Sequence, residues 1–171
     1  MRSRLAILAA LTAAAFPSSA LADDRPACLA AKGQAPDAQS IRGIHVGGRA
    51  VIRDASGTPL TVSSVKYCVD GGGMFGFALT TDSDVVLALS TADGDSIGPI
   101  NPTSPSQSAR VAFPSMKRLT KTTTTAVYRV DSRRQLILGV ADGRVNFVAA
   151  ADRLLLEYPN KLGYYLRRLG F

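Results

Sequence analysis

The 171-residue chain has no tryptophan, one histidine, one glutamate and two cysteines, and each scarcity closes off chemistry. With His45 alone, a metal site built on two imidazoles is impossible, and a Ser-His-Asp arrangement has a single residue to be built around. His45 stands between Ile44 and Val46 on a short strand and points away from them, so it reads as a surface or site-edge histidine. With Glu157 as the only glutamate, a glycosidase pair would have to recruit aspartates, and none stands out. No Cys-x-x-Cys occurs, which removes the usual redox and zinc-thiolate signatures. Beyond the N-terminal region no apolar run reaches the roughly 20 residues of a membrane-spanning helix, so no transmembrane helix is expected in the mature chain.

What is present begins with an export signal. Met1-Arg2-Ser3-Arg4 is a short positive region, residues 5–16 are apolar and uncharged, and Ala20-Leu21-Ala22 supplies small residues at the cleavage positions. A signal peptide over residues 1–22, cleaved before Asp23, is predicted, and with it a periplasmic or secreted location. Arg25-Pro26-Ala27 ahead of Cys28 does not fit lipoprotein processing. In an oxidising compartment Cys28 and Cys68 are expected to form a disulfide. Residues 23–40 read as an N-terminal arm pinned through Cys28, and residues 41–171 as a single β-rich domain, a size that suits one core.

Charge is unevenly spread. Without Arg2 and Arg4 the chain carries 18 basic and 13 acidic residues. Residues 23–109 hold 6 basic against 9 acidic, and residues 110–171 hold 12 against 4. The C-terminal part is cationic, and outside the cytoplasm such a surface meets an envelope protein, a polysaccharide or an anionic lipid surface rather than nucleic acid. Within it, Arg133, Arg134, Lys161, Tyr164, Arg167 and Arg168 are the candidate partner-binding residues.

The chain is read as mainly β: a single antiparallel β-sandwich or small barrel with a C-terminal helical segment. Alternation is clearest where Val65, Tyr67 and Val69 share one face and Ser64, Lys66 and Cys68 the other. Asp70-Gly71-Gly72-Gly73 and Asp142-Gly143 mark reversals. Residues 91–108, with three prolines, the Asp93-Gly94-Asp95 turn and few apolar positions, predict a long surface loop. Residues 109–113, 119–130 and 135–140 continue the strand pattern. From Asn146 the period changes, with Phe147, Ala151, Leu154, Leu155 and Tyr158 on one helical face, so helix is expected over about 146–170.

Several motif matches carry no chemistry. Gly71-Gly72-Gly73-Met74-Phe75-Gly76 fits a dinucleotide fingerprint but precedes a strand rather than a phosphate-binding helix, so it is a turn. Ser63-Ser64-Val65-Lys66 fits the serine β-lactamase motif in strand alternation without its partner motifs. Asp93 and Asp95, near Asp82 and Asp84, are the calcium candidates, but Asp93-Gly94-Asp95 lacks the further ligands of an EF-hand loop and reads as a polar turn. No cofactor and no metal are implied. Thr120 and Thr122 to Thr125 are expected to lie in a strand whose hydroxyls face solvent.

Catalytic residue types are scarce and contact features plentiful. The expected function is that of an exported, non-enzymatic binding or assembly protein of the cell envelope, acting through the basic C-terminal part. The alternatives are a small secreted enzyme inhibitor working through residues 91–108, or a small outer-membrane β-barrel, for which the final aromatic Phe171 speaks and the 6% aromatic content speaks against.

Overall fold

The computed structural model describes residues 28–31, 33, 36–54, 56–131 and 133–171. The signal peptide expected over residues 1–22, and residues 23–27 of the arm, lie outside them. In chain order the elements are β1 (Ser40–Ile41), β2 (Ile44–His45), β3 (Ile52–Arg53), β4 (Pro59–Leu60), β5 (Ser64–Cys68), β6 (Met74–Leu79) and β7 (Val85–Ser90), followed by helix α1 (Ser106–Ala112). Then come β8 (Lys117–Lys121), β9 (Ala126–Arg129), β10 (Leu136–Ala141), β11 (Arg144–Ala151), α2 (Arg153–Glu157) and α3 (Pro159–Arg168).

Seven strands form one antiparallel sheet in the order β5-β6-β7-β11-β10-β9-β8. Two meanders, β5 to β7 and β8 to β11, are joined where β7 pairs with β11 through Val148↔Ser90 to Ala151↔Leu87. The pairs β1–β2 and β3–β4 are separate two-stranded additions. The sheet is not closed into a barrel, because β5 and β8 stand at opposite ends of the order. This corrects the barrel expectation, while the mainly-β reading with a C-terminal helix stands.

Central strands are apolar along their length because both faces of the sheet are covered. On one face Phe75, Phe77, Leu79, Val85, Ala88, Leu138 and Val148 pack under Ile41, Val46, Ile97, Ile100 and Ala109. On the other, Ala78, Leu87, Leu89, Ile137, Phe147 and Ala149 pack under Leu155 and Leu156 of α2 and Leu162, Leu166 and Leu169 of the α3 region. Gly139 faces Phe147 across β10 and β11, and a Cβ there would lie 2.1 Å from the ring. The ring covers the glycine and meets Phe171 edge-on, with centroids 4.9 Å apart.

Two-sided burial also explains where sequence periodicity misplaced boundaries. Residues 146–151 were expected to be helical, yet β11 runs through Ala151, since a strand buried on both faces has no polar alternation to betray it. Helix begins after Asp152, whose carboxylate accepts the Leu154 N–H at 2.8 Å. Pro159 then ends α2 and opens α3. Residues 109–113 were expected to be strand and instead lie largely in α1, which buries Ala109. Residues 91–108 are not a surface loop throughout: Ala92, Asp95, Ile97 and Ile100 are buried.

The N-terminal arm is tied to the β5 end of the sheet. Cys28 and Cys68 form a disulfide, and Leu29 bridges Val69 in parallel, donating to the Cys68 carbonyl at 2.9 Å while its own carbonyl accepts from Asp70 at 2.8 Å. Gly71, Gly72 and Gly73, all at positive φ, make the β5–β6 turn that this arm lies beside, and Gly71 would place a Cβ 3.7 Å from Ala31.

Candidate functional site

Asp95 serves a buried ion pair. Its Oδ2 accepts from Arg42 Nε at 2.6 Å, both side chains being more than nine-tenths buried, and from the Ser90 hydroxyl. The remaining Arg42 nitrogens donate to the Ala30 and Ala31 carbonyls at 2.8 and 3.0 Å. One guanidinium thus ties the arm, the β1–β2 turn and residues 91–98 together. Arg42 adopts φ 53° and Gly43 φ 76°, as a two-residue hairpin turn requires. Asp93 is exposed and receives the Thr103 hydroxyl at 3.3 Å. The two calcium candidates therefore point to different partners. Among the described residues no group of three or more His, Cys, Asp or Glu side chains is placed to hold a metal ion.

His45 is exposed, with Nδ1 3.7 Å from Asp37 Oδ2, and Ser40 is its partner across the β1–β2 pair. All three residue types of a hydrolytic triad meet here, in the wrong connectivity. Ser40 is buried while His45 is exposed, and among the described residues no hydrogen bond joins the Ser40 hydroxyl to the imidazole, so nothing aligns it for proton transfer to a base. The Gln39 amide, above all, holds the Asp37 carboxyl below its ordinary value, with smaller help from Ser40 and His45. Asp54 is lowered in the same way, by the Ser56 hydroxyl first and the Thr58 amide next.

The charged surface has a clearer organisation. Residues 96–130 contain Arg110, Lys117, Arg118, Lys121 and Arg129 with no acidic side chain, and residues 158–171 contain Lys161, Arg167 and Arg168 with none. The fold packs α3 against β8 and so merges the two segments along one edge of the sheet. Leu162, Gly163 and Leu166 turn inward, leaving Lys161, Tyr164, Arg167 and Arg168 exposed. Lys117, Arg118 and Lys121 are exposed on β8 beside them. Among the described residues none of these six cations makes an ion pair with an acidic side chain. Lys161 Nζ lies 5.1 Å over the Tyr158 ring and the Arg168 guanidinium 4.7 Å over Tyr164, contacts that orient the cations without neutralising them. Arg110 similarly lies 5.7 Å over Tyr128. Lys117 stands directly across from Arg129, a like-charge pairing that costs the sheet stability.

Four of the six partner-binding candidates, Lys161, Tyr164, Arg167 and Arg168, thus share this edge. Arg133 and Arg134 belong to the β9–β10 turn, where Asp131 accepts both backbone amides at 2.7 Å and its other oxygen lies 3.4 Å from Arg134 Nε. Arg134 also borders an open depression with Pro36, Asp37 and Gly98. The residues that sequence reading missed are Lys117, Arg118 and Lys121; a charged Lys-Arg-Leu-Thr-Lys strand is itself an edge signal. Thr120 lies in β8 as expected, whereas Thr122 to Thr125 form the hairpin turn between β8 and β9 rather than strand. Thr122 N–H donates to the Thr125 carbonyl at 2.9 Å, and the buried Thr125 hydroxyl accepts from Asn146 at 2.9 Å.

Fold and surface together define a mainly-β, disulfide-linked protein with an open antiparallel sheet, a helical layer on one face and an unneutralised cationic edge. No protein-family model matches the chain, and neither curated proteins nor solved structures give a match.

Proposed function

We propose that this is an exported, non-enzymatic binding or assembly protein of the cell envelope, periplasmic or secreted after removal of residues 1–22, that engages an anionic partner through the β8–α3 edge. The observation that carries this reading is the packing of α3 against β8, which gathers Lys117, Arg118, Lys121, Lys161, Arg167 and Arg168 with no acidic neighbour in either segment. A sheet that sets Lys117 opposite Arg129 gives up stability for charge density, as interaction surfaces do. The disulfide supports an oxidising compartment. Among the described residues no helix is long and apolar enough to cross a membrane. An inhibitor acting through a protruding 91–108 loop is not favoured, since that segment is anchored by Asp95, Ile97 and Ile100.

The test is cosedimentation of the mature chain with isolated envelope fractions over a salt series. Retention at low salt that is lost toward molar salt, and lost at all salt in K117E/K121E and in K161E/R168E, is expected. Retention that ignores both salt and charge reversal would overturn the reading.

A further inference from the structure

The two ends of the sheet are treated differently. At the β5 end, residues 28–30 lie alongside, with Leu29 bonded to both Cys68 and Asp70 and Cys28 held covalently to Cys68. At the other end β8 pairs with β9 alone, so among the described residues its outer row of backbone N–H and C=O groups has no strand beside it. A free edge accepts an extended segment from another chain, the backbone ladder giving affinity and the side chains choosing the partner.

Charge decides which segment fits. A second copy pairing antiparallel about Leu119 would set Lys117 against Lys121 at both ends of the new ladder, and like charges directly opposed are unfavourable. A segment carrying aspartate or glutamate at those positions meets a cation at each end. Lys161, Arg167 and Arg168 on the adjoining helix extend the favourable field beyond the strand itself.

We propose that β8 is a docking edge for an acidic, extended segment of a partner protein, which joins the sheet as an eighth antiparallel strand. This rests on the cationic-edge reading above and narrows the partner from anionic surfaces in general to an acidic peptide. The structural requirement is twofold: opposite charge, and backbone amides free to continue the ladder.

The experiment titrates the mature, disulfide-linked chain with two short peptides of equal charge, one alternating glutamate with valine and one alternating glutamate with proline, and with phosphatidylglycerol vesicles. Proline lacks an N–H and holds φ near about −65°, so the glutamate–proline chain favours polyproline II over a ladder strand in either register while leaving the charge in place. Binding of the glutamate–valine peptide about tenfold tighter than the glutamate–proline peptide is expected, a few ladder hydrogen bonds being enough for that ratio. Amide exchange in residues 117–121 should slow only with the glutamate–valine peptide, and K117E/K121E should lose binding without a lower thermal midpoint, since K117E also relieves the like-charge pairing with Arg129. Equal binding of the two peptides without slowed exchange would overturn strand pairing and leave the anionic-edge reading intact. Tighter binding to vesicles, or self-association of the chain at the same concentrations, would assign the edge to lipid or to a second copy. Failure to bind any of the anionic probes would overturn both proposals.

Discussion

Replacing Arg42 by methionine should remove about 3–5 kcal/mol of folding stability. The Arg42 guanidinium and the Asp95 carboxylate are 6% and 4% exposed, and Arg42 Nε lies 2.6 Å from the carboxylate oxygen. In such surroundings the intact pair contributes little beyond what well-packed apolar side chains would, because desolvation offsets most of the attraction. Removing one partner leaves an uncompensated buried charge, and that is the origin of the expected 3–5 kcal/mol. The carbonyls of Ala30 and Ala31 add little, since both residues are exposed and water can replace the guanidinium. At about 2–4 °C per kcal/mol for a domain of this size, the thermal midpoint falls by about 6–20 °C. Replacing both partners, Arg42→Met with Asp95→Leu, should recover all but about 1–2 kcal/mol, since Ser90 still accepts the Ala92 N–H at 3.2 Å. The chain has no tryptophan, so urea unfolding is followed by far-UV circular dichroism with the disulfide intact. A single-variant loss below about 1 kcal/mol, or a double variant no better than the single, would refute the reasoning.

Other consequences can be checked in the same way. Gly139→Ala should cost about 1–3 kcal/mol by forcing the Phe147 ring aside, and Phe147→Leu in the same chain should make the alanine cheaper. Leu166→Ala, in the fully buried face of α3, should cost about 2–5 kcal/mol, and an unchanged urea midpoint would place α3 off the sheet. Cys28→Ser with Cys68→Ser should lose about 4 kcal/mol, the loop-entropy value for cysteines 40 residues apart, read as the shift of the urea transition. Asp37, lowered from 3.8 by its hydrogen bonds, adds a small stability that is complete above its unfolded value and lost as pH falls through the lower folded value. Asp37→Asn should therefore narrow the stability difference between neutral and strongly acidic solution, and identical pH profiles would contradict this.

How much of this was legible in the sequence depended on exposure. Strand β5 announced itself because one face is wet: Val65 and Tyr67 pack against the core while Lys66 and Cys68 are exposed. The three-glycine turn was legible for a backbone reason, since a run of positive φ is cheap only for glycine. Strand β11 was not, because Phe147 and Ala149 serve one core and Val148 and Ala150 the other, and a continuous apolar run fits helix and strand equally. Asp95 read as a turn carboxylate because its partner Arg42 lies 53 residues away. The candidate site was half visible: Lys161, Tyr164, Arg167 and Arg168 follow from helical spacing, but that β8 lies beside them is a property of topology, and no local pattern carries it.

The β7–β11 seam pairs Val148 with Ser90 and Ala151 with Leu87, residues far apart along the chain, and it has a consequence for how the molecule comes into being. The β5–β7 meander can fold back on itself locally, and the disulfide lies within that half of the chain, but Leu87 and Leu89 remain uncovered until β11, α2 and α3 have arrived. Under the proposed export, a chain emerging from its N-terminus has the apolar edge of β7 waiting for its last segment. Completion is a late, non-local and correspondingly slow event. The final third of the polypeptide thus carries the proposed docking edge and is also the layer that ends the aggregation-prone interval of folding.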